Sequence, residues 1–160
     1  MTREEIIAAI TAGTERIERL RPLAARAPER PLGTGEWRVR DVLSHLAARG
    51  NAVLLVKARV ARAASGTPAQ PNPDINAINA AQVSERAHLS LDALLDEIVA
   101  GHAAAIDQVA QLDDAYFAQT LTIGPSATQL TVAEMLIRAG VGHEATHLKE
   151  IEAALGQATA

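Results

Sequence analysis

The chain has 160 residues, 15 basic against 19 acidic, a formal net charge of -4 and a pI near 5.7, a length that suits one domain with a continuous core. The acidic balance leaves no broad cationic face for nucleic acid or an anionic membrane surface, no apolar run approaches the roughly 20 residues that cross a bilayer, and Met1 to Ile6 lacks the apolar core of a secretion signal, so a cytoplasmic protein is expected. With no cysteine, disulfides, thiolate metal sites and thiol nucleophiles of its own are excluded.

Thirty-four alanines beside only three aromatics (Trp37, Tyr116, Phe117) favour closely packed helices over sheets. The first helix is predicted over residues 2 to 25, with Thr2 and Glu5 at capping-box spacing and Ile6, Ile10, Gly13, Ile17 and Leu20 at steps of three and four. Proline and glycine between Ala27 and Gly35 mark a loop. A second helix is predicted from about Trp37 to Gly66, carried by Val39, Val42, Leu43, Leu46, Leu54 and Val60, and the prolines between Thr67 and Pro73 end it. A weaker pattern from Asp74 to Ala87 suggests a short helix. Ser90 caps a long one running to about Leu112. Residues 113 to 130 lose the helical period, with a turn at Gly124-Pro125 and an extended Leu121-Thr122-Ile123. Thr131 and Glu134 then form a second capping box, opening a helix that runs to Leu155 and stops at Gly156. Four long amphipathic segments in one domain spanning 1–160 suggest an all-α, antiparallel or crossover four-helix bundle, and connections of about 12 to 25 residues do not force an up-and-down topology with short turns.

The last helix carries an apolar stripe of Val132, Leu136, Ala139, His143, His147, Ile151 and Leu155. Two imidazoles stand where the core wants aliphatic groups. Burying one without partners costs on the order of 1–3 kcal/mol, and residues at i and i+4 are close enough to converge on one metal ion. The same spacing also suits solvated or hydrogen-bonded histidines. His45 on the second helix is the third candidate ligand. Asp41, one turn earlier, either orients the His45 ring or favours the helix N-terminus electrostatically. Three neutral imidazoles would hold a divalent first-row ion and leave positions open.

His143-Glu-Ala-Thr-His147 also fits the H-E-x-x-H pattern of zinc proteases. Those enzymes take a third ligand well downstream, whereas only 13 residues follow His147 and none is His; Glu144 is therefore expected to be a flanking residue. His102, on the apolar face of the third long helix, is either a satisfied core histidine or a substrate contact or further ligand near the site. His88 is expected at the surface. Gly140 and Gly142 are either tolerated defects or an allowance for close helix approach or ligand access.

Two segments together resemble a known family. Trp37-Arg-Val-Arg-Asp41-Val-Leu-Ser-His45-Leu46 resembles the W-x-x-x-D-x-x-x-H-L segment of the DinB-like superfamily, and His143-Glu-Ala-Thr-His147-Leu-Lys-Glu-Ile151 its later H-E-x-x-H-x-x-x-I segment. Asn76-Ala-Ile-Asn79-Ala-Ala and the long helix after it are similar to small members near the mycothiol-dependent maleylpyruvate isomerase N-terminal domain. The resemblance covers nearly the whole chain. It implies a four-helix bundle with an unusual crossover, a metal site at His45, His143 and His147, a divalent ion (zinc or nickel first, iron or manganese as alternatives) and often a homodimer. It further implies a transferase or isomerase that uses an exogenous low-molecular-weight thiol on a small electrophilic substrate; a non-catalytic small-molecule binder and a metal-dependent hydrolase are the alternatives. Two departures from the family pattern stand out: Arg38 follows the tryptophan where a Ser or Thr cap is usual, shifting the cap to Thr34 or a backbone group, and Leu148-Lys149-Glu150 replaces the common x-G-Q. The larger isomerase relatives carry a further C-terminal domain, so their substrate is not expected to transfer.

Overall fold

A computed structural model describes residues 1–33, 35–66, 74–123 and 128–156. Its helices are α1 (Arg3–Ala24), α2 (Val39–Ala47), α3 (Ala52–Ala64), α4 (Ile75–Glu85), α5 (Leu91–Gln111), α6 (Asp114–Ala118), α7 (Val132–Leu136) and α8 (His143–Gly156), and a small antiparallel sheet pairs β1 (Thr120–Ile123) with β2 (Thr128–Thr131). The all-α expectation holds. The capping boxes at Thr2–Glu5 and Thr131–Glu134 form, and the side chains of Asp74 and Ser90 accept from the backbone N–H groups of Ala77 and Ala93 at the starts of α4 and α5. No described helix is long and apolar enough to cross a membrane.

Three expectations are corrected. The helix predicted from Trp37 to Gly66 is broken between Ala47 and Ala52, where Arg49 and Gly50 bond back to Leu46 and Ala47 in tight turns. The break brings backbone against backbone: a Cβ on Gly101 of α5 would lie 2.7 Å from the Gly50 carbonyl carbon, so the crossing needs glycine at 101. Within 113–130 the extended Leu121-Thr122-Ile123 forms as part of β1, with Leu121 buried opposite Leu130, and the lost helical period conceals a short helix, α6, which Asp113 caps through the Tyr116 N–H. The final helix is not uniformly α-helical. Ile137–Gly142 is a π-helical segment between α7 and α8, of the kind that often marks functional sites. Within it Gly140 answers to close approach, since a Cβ there would meet the Ala52 Cβ at 2.8 Å. Thr34, the prolines of 67–73 and Gly124-Pro125 lie outside the described residues.

The four bundle members are α1, the α2–α3 pair, α5, and the α7–π–α8 run. α1 packs on α5 and α8, while α2 and α3 pack on α5 from the other side and on α8 and α7 respectively. The first and second members are therefore diagonal, not adjacent, which is what a crossover connection produces. Ion pairs staple the ring: Arg16 grips Glu152 with two 2.6 Å bonds between α1 and α8, Arg21 reaches Asp96 on α5 at 2.8 Å, and Arg86 ties the end of α4 to Glu97 of α5 at 2.7 Å.

The apolar interior is divided. One cluster joins Ile17, Leu20, Val42, Leu43, Leu46, Leu94, Leu95, Ile98, Leu148 and Ile151; the other joins Ile6, Val53, Val56, Val109, Phe117, Val132, Met135 and Leu136. Along the last helix the histidines stand between Leu136 of the second cluster and Leu148 of the first, and along α5 His102 stands between Ile98 and Ala105 in the same way. A layer of polar side chains thus separates two hydrophobic cores.

Candidate metal centre

The start of α2 positions the first ligand. Leu32 donates its N–H to the Trp37 carbonyl, and Val39 and Arg40 donate to the carbonyls of Arg30 and Pro28, which fastens the preceding loop against the helix. Asp41 closes the N-terminus, accepting from the Arg38 backbone N–H at 2.9 Å and from its guanidinium at 2.7 and 2.8 Å. Of the two readings of Asp41, the structure places the carboxylate in this helix-start role. The Arg38 departure from the family pattern is thereby accommodated: a charge-assisted bond replaces a hydroxyl cap.

One turn later His45 is 2% exposed. Its Nε2 lies 2.9 Å from Nε2 of His143, and one ligand nitrogen from each of His45, His143 and His147 fits within 4.8 Å of the others. The ring centroids are 4.7 to 5.2 Å apart, edge to face, and Trp37 covers the group, its ring 5.3 Å from His45 and 6.4 Å from His147. The outer nitrogens are spoken for. His45 Nδ1 is 2.8 Å from Gln82 Oε1, and His147 Nδ1 is 2.8 Å from Glu150 Oε2. Both partners are acceptors, so Nδ1 carries the proton in each ring and the Nε2 lone pair is left for a ligand-binding role.

Burial sets the protonation state. Desolvation, reinforced by the nearby charges of His147 and Arg49 against an opposing bond from Gln82, holds His45 down at about 4. Desolvation followed by Arg49, His147 and His45 holds His143 at about 4 as well. Both rings are neutral at pH 7, as coordination requires. With the His45 proton on Nδ1, the 2.9 Å approach of the two Nε2 atoms is either an N–H···N hydrogen bond donated by His143 or a pair of facing lone pairs, and a cation among the three nitrogens would hold the second arrangement. The donor set therefore fits a divalent first-row ion.

His102 is buried but stands outside this group. Its Nδ1 is 2.9 Å from the Thr14 hydroxyl and its Nε2 2.6 Å from Glu144 Oε2, so both ring nitrogens are satisfied within the core. Glu144 is accordingly not a mere flank. Its side chain is only 12% exposed, and its other oxygen occupies the space a side chain at residue 13 would fill, 2.6 Å from a Cβ built on Gly13. His88 is exposed, as expected.

The roles of four residues, Gln82, Glu144, Gly13 and Arg49, escaped the sequence reading. Gln82 comes from α4, a helix with no fully buried residue, so no apolar stripe pointed inward at that position. Glu144 and Gly13 pair across 131 positions, and Gly13 looked like one more member of a helical face. Arg49, four residues after His45, shares its side of the chain; that spacing was the available signal. Arg49, His102, His143 and Glu144 line one cavity of about 30 Å³.

The sequence profile of the mycothiol maleylpyruvate isomerase N-terminal domain matches residues 10–147, a span that includes all three histidines. No curated protein and no solved structure matches the chain. The matched family lies within the DinB-like superfamily, whose members are generally metal-dependent. With a match over most of its length, a helical bundle of the corresponding class and a three-histidine group that could hold an ion, the chain belongs to the mycothiol maleylpyruvate isomerase N-terminal domain family.

Proposed function

We propose that this protein is a divalent-metal-dependent transferase or isomerase that uses an exogenous low-molecular-weight thiol on a small electrophilic molecule, with His45, His143 and His147 as the metal ligands. The observation that carries the reading is the convergence of three imidazole nitrogens within 4.8 Å, two of them backed by acceptors on the far side of the ring. Family membership supports the same chemistry. A divalent ion in such a site supplies Lewis acidity, lowering the pKa of a thiol or of water bound in an open position. The chain's own residues do the rest. Gln82 and Glu150 fix the tautomers of His45 and His147, Trp37 shields one side of the group from water, and burial keeps the His45 and His143 rings desolvated and neutral. Because the chain contains no cysteine, the sulfur nucleophile has to come from outside. The cytoplasm, where thiols are kept reduced, is the compartment that suits this reaction. Zinc or nickel suits a three-imidazole site best, with iron and manganese as alternatives.

The test is metal analysis of protein purified without a histidine tag, followed by assays of a generic electrophile with a panel of thiols and added metals. About one ion per chain, lost in His147→Ala, together with thiol-dependent turnover that the same substitution abolishes, is expected. No stoichiometric metal under any added ion overturns the reading. Hydrolysis without thiol would redirect it to a hydrolase, and tight ligand binding that survives His147→Ala without turnover would redirect it to a sequestering protein.

A further inference from the structure

Arg49 sits at the break between α2 and α3, partly exposed, and no carboxylate among the described residues pairs with its charge. Its Nη2 donates one long bond, 3.3 Å, to the carbonyl of Ala139 in the π-helical segment. Its Nε is buried with no partner. Among the described ion pairs none involves Arg49, in contrast to Arg16, Arg21, Arg38 and Arg86, each of which grips a carboxylate. Among the described residues the one carboxylate lining the same cavity, Glu144, is already bonded to His102 at 2.6 Å.

The neighbourhood adds positive charge. Arg59 on α3, whose Nη1 points to Met135 Sδ at 3.8 Å, is near enough to disfavour the charge on Arg49 further, after burial, which is the main cause. Three imidazole ligands bring no negative charge to a divalent ion. A dication beside an uncompensated guanidinium is electrostatically unfavourable unless an anion joins them. The cavity that Arg49 and His143 share is about 30 Å³, space for roughly two water molecules. A guanidinium edge is the donor geometry that receives carboxylate oxygens in pairs.

We propose that Arg49 is the anion-recognising arm of the metal centre, receiving a carboxylate group of the ligand in the cavity between α3, α5 and the π-helical segment. The inference rests on the metal reading given under the proposed function, and goes beyond it by naming a ligand group and the residue that selects it. Arg49 touches the ligand and not the metal. Its contribution is to bind and orient.

Cobalt(II) makes both levels visible, because its visible absorption bands report the ligand set directly and require no turnover. Metal-free protein is titrated with Co²⁺, then the Co²⁺-loaded protein with acetate, and separately with sulfate, at constant ionic strength. The wild type should show saturable acetate-dependent band shifts and a weaker response to sulfate. Arg49→Met should keep the acetate-free cobalt spectrum, bind Co²⁺ at least as tightly because a like charge is gone, and bind acetate on the order of ten- to a hundredfold more weakly. Arg49→Lys, which retains charge without the planar fork, should fall between the two and serves if the Met variant does not fold. Failure of His45, His143 and His147 to produce cobalt bands at all overturns the metal reading and this inference with it. Normal bands with equal acetate affinity in wild type, Arg49→Lys and Arg49→Met overturn this inference alone, and a sulfate response as strong as that to acetate overturns the carboxylate assignment.

Discussion

Gly13→Ala separates what a helix wants from what the polar layer needs. In an isolated helix the change should stabilise by about 1 kcal/mol, since alanine loses less backbone entropy than glycine. Here the new Cβ would lie 2.6 Å from Glu144 Oε1 and 3.6 Å from His102 Cε1. A free glutamate tip would swing aside cheaply, but this one is pinned, because its other oxygen is 2.6 Å from His102 Nε2 in a pocket where the two side chains are 12% and 6% exposed. Retreat lengthens or breaks that bond and leaves two nearly buried polar groups underbonded, at a cost of roughly 1.5–3 kcal/mol. The net expectation is a destabilisation of about 0.5–2 kcal/mol, seen as a lower urea midpoint in metal-free protein and a Tm lower by a few degrees. The double mutant cycle with Glu144→Ala carries the argument. With the carboxylate gone the methyl has room, and the same substitution should then stabilise by up to about 1 kcal/mol. Equal stabilisation by Gly13→Ala in both backgrounds would refute the claim that Glu144 is held in place by His102.

Three further outcomes are expected. His45 and His143 are held at about 4 by burial, below their ordinary 6.5, so the unfolded chain takes up protons that the folded one refuses; the metal-free protein keeps this stability above pH 6.5 and loses it as pH falls toward 4, by on the order of 2 kcal/mol for the pair at pH 5 after discounting for the partial exposure of His143, and a urea midpoint at pH 5 equal to or above that at pH 7.5 contradicts it. Gly101→Ala drives a Cβ to 2.7 and 2.9 Å from the backbone carbon atoms of Gly50, where no side chain can yield, so a loss of about 1–3 kcal/mol in chemical denaturation is expected; an unchanged midpoint would show that the α2–α3 break and α5 are not locked together. Gln82→Ala frees the His45 ring on its outer side and should weaken Co²⁺ binding about 10-fold or more with little effect on the far-ultraviolet circular dichroism spectrum; full affinity in that variant would remove Gln82 from the site.

Helix periodicity records which way a residue faces and little about what lies opposite. The capping boxes at Thr2–Glu5 and Thr131–Glu134 are local, so they could be read directly and they form. His143 and His147 were legible for the same reason, as polar intrusions in one apolar stripe. The break at Gly50 was not, because Val53, Val56 and Val60 resume the period so soon after Leu46 that the stripe looks unbroken, and what the break packs against, Gly101, lies on another helix. The π-helical segment was hidden likewise: Gly140 and Gly142 could be noticed, but their reason is the approach of Ala52 and the carbonyl of Ile137.

The site divides along the same line. The candidate ligand set was reachable from two short segments, yet what surrounds it comes from places the stripe cannot register: Gln82 from a helix with no fully buried residue, Trp37 from a loop, and Arg49 from the break itself. Each of these acts on the charge or proton state of the histidines and not on the packing of the bundle. A fold with a continuous apolar core would have bound the same helices together without them. The polar layer costs desolvation of several imidazoles and a guanidinium, and such a cost is retained in a structure when the groups have a use together. The Glu144–His102 pair shows how the layer offsets part of that cost internally, and Arg49, with its buried Nε unpartnered, is where the internal compensation stops and an external anion becomes the missing counterpart.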